Sequence, residues 1–381
     1  MLKNLFIIVA VCIAVIAISG VLYYQFHPTF GVRPTGERLA KVEKSSYFKD
    51  GKFSNIEDTP ILTTDKTSVE LFWDNLAKPK ADNLIPQHNI PVIKTDLKAL
   101  DINEDMIIWL GHSSYFIQID GKRILIDPIL NSNASPLPIG NAVFKGTDVY
   151  RASDMPKIDY LLITHDHYDH LDYQTLKDLK GVVKEVLVPL GLGATVVSWG
   201  YTEDSVKDLD WYETVITSHN GLTITFTPSR HYSSRKMTRF QNLWGSYVIK
   251  GTEKNLYFSG DSGYGKHFKE IGNQYGPFDF VSLDSGQYNE KWKHIHMRPE
   301  EALQAATDLK TKYFLPAHIG RFALAKHDWR EPFNILEAEK SKYDVNLIFR
   351  RIGQPISINN PELAQNSNNP IPIDEWWKNN E

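Results

Sequence analysis

The chain has 381 residues, a formal net charge of −4 and no long basic run, which excludes nucleic acid as its main partner. Its single cysteine, Cys12, stands in an apolar N-terminal run, so the body has neither a disulfide framework nor thiolate metal ligands. Length and apolar content allow one large domain or two ordinary ones.

In chain order, the first feature is Leu5–Tyr24, LFIIVAVCIAVIAISGVLYY. It is uncharged and, at about twenty residues, long enough to span a bilayer. Lys3 and the amino terminus form a short positive n-region, and Ala17 and Ser19 offer a signal-peptidase site. The length of the run and the following Tyr23 and Tyr24 favour a single-pass anchor within residues 1–30 over a cleaved signal. Arg33, Arg38, Lys41 and Lys44 after the span point to a cytoplasmic body by the positive-inside count. The short N-tail with its signal-like run points the other way. The reading adopted is an exported body, on the periplasmic side.

Residues 31–95 read as an N-terminal arm. Residues 25–60 are mixed, polar and without a period, as in a linker or loose arm. Val69, Phe72, Trp73 and Leu76 share one face of Ser68–Ala77, which predicts an amphipathic helix packed on the main domain. Residues 96–355 carry the strands of the main, hydrolase domain. Met106–Leu110 is the first apolar run, and Tyr115–Ile119 and Arg123–Ile126 flank Asp120-Gly121, a hairpin signal. Asn131–Tyr150 is rich in Asn, Pro and Gly and reads as a long loop. Ile158–Thr164 is a buried-strand run, and Tyr173–Lys180 a short helix stopped by Gly181. Further strands are predicted at Val186–Val188, Val215–Thr217, Leu222–Thr227, Ser246–Lys250, Asn255–Phe258, Phe280–Leu283, Tyr313–Leu315 and Asn346–Arg350. Pro299–Leu309 predicts a helix with Pro at its first turn and acidic residues next. Residues 356–381 form a polar tail, Asn/Pro-rich and predicted to be disordered from about Pro361, in which Trp376 and Trp377 are the exception that can dock. Many strands with few helices, and no Gly-rich phosphate loop, indicate an α/β two-sheet sandwich covered by helices, not a Rossmann sheet.

The stretch with chemistry in it is Thr164–Asp172, THDHYDHLD, which places His165, His167, Asp169 and His170 within six positions. Imidazole and carboxylate are zinc ligands, and a catalytic zinc takes three protein ligands plus water. Four ligands therefore divide between two ions, His165 and His167 to one, Asp169 and His170 to the other. Further candidates follow other strands: His231 after Leu222–Thr227, Asp261 after Asn255–Phe258, and His318 after Tyr313–Leu315. Residues of this type beyond four strand ends predict convergence on one edge of the sandwich. Asp261 has two oxygens and can bridge. The expected sets are His165, His167 and His231 for one ion, and Asp169, His170 and His318 for the other. His112 reads as a structural or supporting residue, and Asp127 as a carboxylate that orients a ligand histidine. His296, just before the helix at Pro299, is a candidate proton donor. His27, His88, His219, His267, His294 and His327 read as surface residues.

The HxHxDH cluster with a later His, Asp and His resembles the metallo-β-lactamase superfamily. The segments WLGHSSYFIQ, ILIDPIL, LLITHDHYDHLDY, VPLGLG, DLDWYE, PSRHYSSR, NLWGSY, FSGDSGYG, GPFDF, HMRPEEA and PAHIGRFALA resemble, in order, its N-acyl-phosphatidylethanolamine-hydrolysing phospholipase D branch. The likeness runs from about Phe48 to Ile352, and the loop Asn131–Tyr150 carries none of these segments. The resemblance implies a four-layer αβ/βα sandwich, here with an added N-terminal transmembrane helix, and two zinc ions at the sandwich edge. It implies the same two ligand sets, with Asp261 bridging, and a catalytic role for His296. Asp169 or Asp261 would hold the nucleophile's proton. The implied reaction cleaves N-acylphosphatidylethanolamine to phosphatidic acid and an N-acylethanolamine, with a membrane phospholipid as partner. The alternatives are a lactonase or another hydrolase on the same dizinc scaffold acting on a soluble substrate, a diiron oxidoreductase, and a non-catalytic binding protein. Diiron members are expected to carry Glu where His167 stands, which speaks for zinc, and no proposed ligand is missing. Every proposed ligand lies beyond residue 100, so deleting residues 1–30 is expected to leave a folded, metal-loaded protein.

Overall fold

The structure, a computed structural model, describes residues 2–67, 69–70, 73, 81–137, 139–217, 221–236, 238–359, 361 and 375–378. The helix expected over Ser68–Ala77 lies largely outside these residues, as does His219. The chain opens with helix α1, Leu2–Phe26. Its Lys3–Phe26 stretch is, among the described residues, the one helix long and apolar enough to cross a membrane. Helix α2, Gly36–Lys44, and a two-stranded hairpin, β1 Phe48–Lys49 and β2 Lys52–Phe53, follow.

The body is two seven-stranded sheets. The first contains β3 Met106–Gly111, β4 Ser114–Ile119, β5 Lys122–Ile126, β6 Ile158–Leu162, β7 Val183–Pro189 and β8 Val206–Leu209 in sequential order. The pairs β3–β4 and β4–β5 are antiparallel, and β5 to β8 are parallel. The second contains β9 Thr214–Ile216, β10 Thr223–Thr227, β11 Ser246–Lys250, β12 Asn255–Phe258, β13 Phe278–Asp284, β14 Thr311–Ala317 and β15 Asn346–Leu347. It repeats the plan: β9 to β12 pair antiparallel, β12 to β15 parallel. β16, Pro355–Ser357, returns to cap the first sheet antiparallel to β3.

Strand alternation separates two cores. Ile107, Trp109, Tyr115, Ile117, Ile124 and Ile126 belong to the cluster shared with the second sheet, where Tyr115 meets Phe258 with ring centroids 4.8 Å apart. Their neighbours Ile108, Leu110, Phe116 and Leu125 face outward. There they join Leu176 and Leu179 of α3, Tyr173–Leu179, and Val196 of α4, Gly193–Ser198. The second sheet is covered by α5 His267–Gln274, α6 Pro299–Asp308 and α7 Glu331–Glu339, which bury Phe268, Ile271, Leu303, Phe333 and Leu336. The layers are therefore helix, sheet, sheet, helix, the expected αβ/βα sandwich.

Three sequence expectations change. Residues 25–60, read as a linker or loose arm, are fastened to the body: Trp199 Nε1 donates to Pro28 O at 2.8 Å, Val32 N donates to Thr195 Oγ1 at 3.0 Å, and Val42 and Phe53 are buried. Single anchor points, not a periodic apolar face, hold this stretch, so no period marks it. The polar tail expected from residue 356 begins instead with β16, while Trp376 and Trp377 dock, as expected of them, against Trp329, Phe333 and Phe349. His267, read as a surface residue, is 5 % exposed in the first turn of α5. Of the others, His88 is exposed and His27, His294 and His327 are half-buried.

Candidate metal centre

The C-terminal ends of the parallel strands bring the chemistry to one edge. β5 delivers Asp127, β6 delivers Thr164 and the His/Asp loop, β12 delivers Gly260 and Asp261, β13 ends on Asp284, and β14 runs into His318. The two sheets meet here directly: Gly245 N donates to Thr164 O at 3.0 Å, and His318 N donates to His112 O at 3.1 Å. Gly260 makes the approach possible. Its φ is +57°, and a Cβ would sit 2.7 Å from Thr164 Cβ and 2.9 Å from Gly245 O. His112, Asp127 and His318 also hold positive φ, at 57°, 42° and 61°. Such backbone costs of order 1–3 kcal/mol per residue and clusters where surrounding structure enforces a functional geometry.

His165, His167, His231 and Asp261 form one group whose ligand-type atoms all lie within 4.8 Å of one another. His167 Nδ1 is 3.0 Å from His165 Nε2 and 3.1 Å from His231 Nε2. Asp261 Oδ2 lies 3.7 and 3.8 Å from those two Nε2 atoms. A tetrahedral zinc with bonds of about 2.0–2.1 Å sets its ligand atoms roughly 3.3 Å apart, so this spacing suits one small cation.

The second group is His112, Asp169, His170 and His318. Asp261 Oδ1 is 3.0 Å from both His170 Nε2 and His318 Nδ1, so its two oxygens face the two groups. His170 Nε2 and Asp169 Oδ2 are 3.5 Å apart. All seven residues picked from sequence spacing are thus brought together, with Asp261 in the middle. His112 is fully buried, and its Nε2 lies 2.9 Å from Asp169 Oδ2, which holds that carboxylate in place.

Most ligand-type histidines have their other ring nitrogen engaged, which fixes ring orientation. His231 Nδ1 donates to Ile295 O at 2.9 Å. His170 Nδ1 lies 2.7 Å from Asp127 Oδ2, the orienting role expected of Asp127. His165 Nδ1 is 3.0 Å from Thr164 Oγ1, and Thr164 N donates to Asp127 Oδ1 at 2.8 Å. The inward-facing His170 Nε2 and Asp261 Oδ1 are buried and, although 3.0 Å apart, are not aligned as a hydrogen bond. Buried polar atoms are rarely left so, and a cation between them would supply the missing partner.

Burial, with the neighbouring His170 and His167, holds the pKa of His165 well below its usual range, and burial does the same to His231. Burial drives His112 down to about 3. In all three, burial favours the neutral imidazole, the form that binds metal. His170 is the opposite case: burial pushes it down, but Asp261, Asp169 and Asp127 outweigh that and hold it well above normal. Burial raises Asp261, but His170 and His318 prevail and keep its carboxyl well below the usual range. Carboxylates that raise the pKa of a buried histidine in this way favour positive charge at the site.

His296 sits at the rim with its side chain 13 % exposed, and its Nδ1 is 2.8 Å from Asp284 Oδ2. Burial lowers its pKa, but Asp284 and Asp261 more than compensate, so it is raised. Asp284, fully buried, escaped the sequence reading although it obeys the rule that found Asp261, a carboxylate at a strand end. Arg235 escaped it too. This buried guanidinium donates from Nε to Thr29 O at 2.7 Å and from Nη1 to Asp166 O and Leu171 O at 2.8 and 2.7 Å, stacked between Tyr168 and Trp199. Asp166 returns the tie, accepting from Ser234 N and Asn242 Nδ2, both at 2.8 Å. The loop with His165 and His167 and the loop with His231 are thereby cross-braced.

The family description "Beta-lactamase superfamily domain" matches residues 122–319. An uncharacterized protein of Mycobacterium tuberculosis is 34 % identical over 341 residues, covering 88 % of each chain. The N-acyl-phosphatidylethanolamine-hydrolyzing phospholipase D 1 of Caenorhabditis elegans is 29 % identical over 312 residues, covering 76 % of this chain and 84 % of the relative. Among solved structures, Igni18, a metallo hydrolase of Ignicoccus hospitalis, matches with a TM-score of 0.51 at 21 % identity, over 67 % of this chain and 98 % of its own. That last likeness speaks for the fold.

Proposed function

This chain belongs to the metallo-β-lactamase superfamily and is a hydrolase, and from that premise we propose that it is a dizinc phospholipase D-type phosphodiesterase acting on N-acylphosphatidylethanolamine. The observation that carries the reading is Asp261, whose two oxygens face two separate clusters of ligand-type atoms. The lipid substrate is supported by the likeness to the nematode enzyme and by the apolar helix α1. The ligand sets are His165, His167 and His231 on one side, Asp169, His170 and His318 on the other, with Asp261 shared. Residues 2–26 anchor the protein in the bilayer that holds the substrate, with the body on the exported side.

Zinc bound at these two positions supplies an acidified water at neutral pH and draws charge from the phosphoryl oxygens. Asp169 or Asp261 would hold the proton that the attacking water gives up. His296, whose pKa Asp284 and Asp261 raise, would use its Nε2 to donate a proton to the departing ethanolamide oxygen. The N-acylethanolamine leaves and phosphatidic acid remains.

Two measurements test this. Metal analysis of protein purified without added metal should find about two zinc per chain by the ligand count that a dizinc site requires. One equivalent, or iron, contradicts it. Turnover in heavy-oxygen water should place the label in phosphatidic acid and none in the ethanolamide. Label in a free fatty acid means attack at a carbonyl, and the protein is then an esterase or lactonase on the same scaffold.

A further inference from the structure

We infer that the tip of the loop after β5, with Leu137 and Ile139, inserts into the lipid surface beside α1 and sets the height of the metal centre above the bilayer. This rests on the reading of residues 2–26 as a membrane anchor. Leu137 is 46 % and Ile139 73 % exposed, large apolar side chains at a loop tip where solvent favours polar ones.

Their occupant follows from where the tip is fastened. Tyr23 Oη donates to Pro136 O at 2.6 Å, one residue before Leu137. A helix spanning Lys3–Phe26 is about 36 Å long at ~1.5 Å per residue, against a hydrocarbon core of about 30 Å. Tyr23 stands one turn before the end of that helix, so it lies at the boundary between acyl chains and headgroups, the depth at which Tyr is favoured. The carbonyl it holds, and the Leu137 and Ile139 that adjoin it, are brought to the same depth.

The chemistry of the surroundings agrees. Tyr23 packs on His27 with ring centroids 4.4 Å apart, Tyr24 meets Phe30 at 5.0 Å, and Lys236 Nζ lies 6.0 Å above the Tyr24 ring. An aromatic belt with a cation among it matches headgroup phosphates. A bilayer fits these features better than a second copy of the chain, because α1 already has to enter one.

The loop base reaches the site. Ile129 and Ala134 pack with Phe322, whose ring is 5.0 Å from that of His112, and Phe144 N donates to Arg321 O at 2.7 Å. On the other side Phe30 contacts Tyr168, next to His167, at 6.5 Å. The metal centre is therefore held between two supports that both end at the lipid boundary. Seating the loop tip presents the centre's rim to headgroups.

The test uses full-length protein in vesicles of phosphatidylcholine and phosphatidylglycerol, with one cysteine bearing an environment-sensitive fluorophore. Native Cys12 reports the anchor. Ile139→Cys and Glu253→Cys, each with Cys12→Ser, report the tip and a remote turn. Expected are blue-shifted emission and quenching by nitroxide-labelled lipid at Cys12 and at position 139, and neither at 253. A quenched Cys12 with a water-like position 139 overturns the inference and leaves the anchor standing. Water-like emission at both overturns both. Shielding at 139 without lipid quenching, lost as protein is diluted within the vesicle, assigns the tip to a second copy and also overturns it.

Discussion

Asp284 and Asp127 do the same job at different distances from the reaction, and substitution separates them. Asp284 Oδ2 holds His296 Nδ1, so Asp284→Asn removes the charge that favours the imidazolium. Its expected effect is a kcat lowered by about 10²-fold or more, the usual worth of a proton donor, with zinc content unchanged. Asp127 Oδ2 holds His170 Nδ1, so Asp127→Asn should weaken zinc binding by about 10–100-fold, read by competition with a chelator. If Asp284→Asn loses zinc or Asp127→Asn keeps full affinity, the two roles have been assigned wrongly. The sequence made the seven ligand-type residues legible because His and Asp just beyond apolar strands have few other uses. It hid Asp284, whose strand reading stopped at Leu283, one residue short. Arg235 was hidden for another reason: an arginine in a polar loop reads as solvated, and burial leaves no local mark.

At the scale of elements, α5 carries a pH-sensitive packing. Burial pushes His267 down to about 3, and its Nε2 lies 3.1 Å from Ser262 Oγ, beside Asp261. The unfolded chain takes a proton at this histidine near pH 6.5, whereas the folded chain resists it until about 3. Between those values the unfolded state binds more protons, so stability falls as pH falls and is fully present above pH 6.5. Melting temperature measured from pH 7 down to 4 should fall less steeply in His267→Gln than in the parent. An unchanged slope excludes His267 as a contributor. The strands and α6 were legible by apolar runs, hairpin turns and Pro299. Several short elements were not. α4, GATVVS, begins on glycine and holds three β-branched residues, so propensity argues against it and packing on β8 overrides that. β16, Pro-Ile-Ser, shows a single apolar position after a proline and is a strand only because β3 offers an open edge.

The Arg235 staple gives a second prediction at this scale. Arg235→Ala leaves Thr29 O, Asp166 O and Leu171 O without their donor, each loss costing about 1–3 kcal/mol where the group stays buried. The bracing of the ligand loop goes with it. The expected result is a lower melting temperature together with an altered cobalt(II) spectrum at the His165–His167–His231 group. Arg235→Lys can reach one carbonyl and should recover part of both. A lower melting temperature with an unaltered spectrum would limit Arg235 to stability.

For the whole molecule, the question is where the proposed anchor ends and the body begins. Residue numbers alone placed that boundary near 30, because every ligand lies beyond 100. The contacts place it earlier. Pro28 O and Thr29 O accept from Trp199 and Arg235, Val32 and Thr195 exchange two hydrogen bonds, and Phe30 packs on Tyr168. Deleting residues 1–22 removes most of the apolar helix and keeps all of these. Deleting 1–32 strips them away, exposes the Arg235 guanidinium that Thr29 O had covered, and loosens the loop that holds His165 to His170. The shorter deletion should be soluble, folded and loaded with zinc, and should hydrolyse detergent-dispersed substrate. The longer one should melt lower and retain less zinc after dialysis against a chelator. Equal melting temperature and equal zinc retention in the two would mean that residues 23–32 merely lie on the body. A difference means that the stretch following the apolar helix also braces the loop that carries His165 to His170.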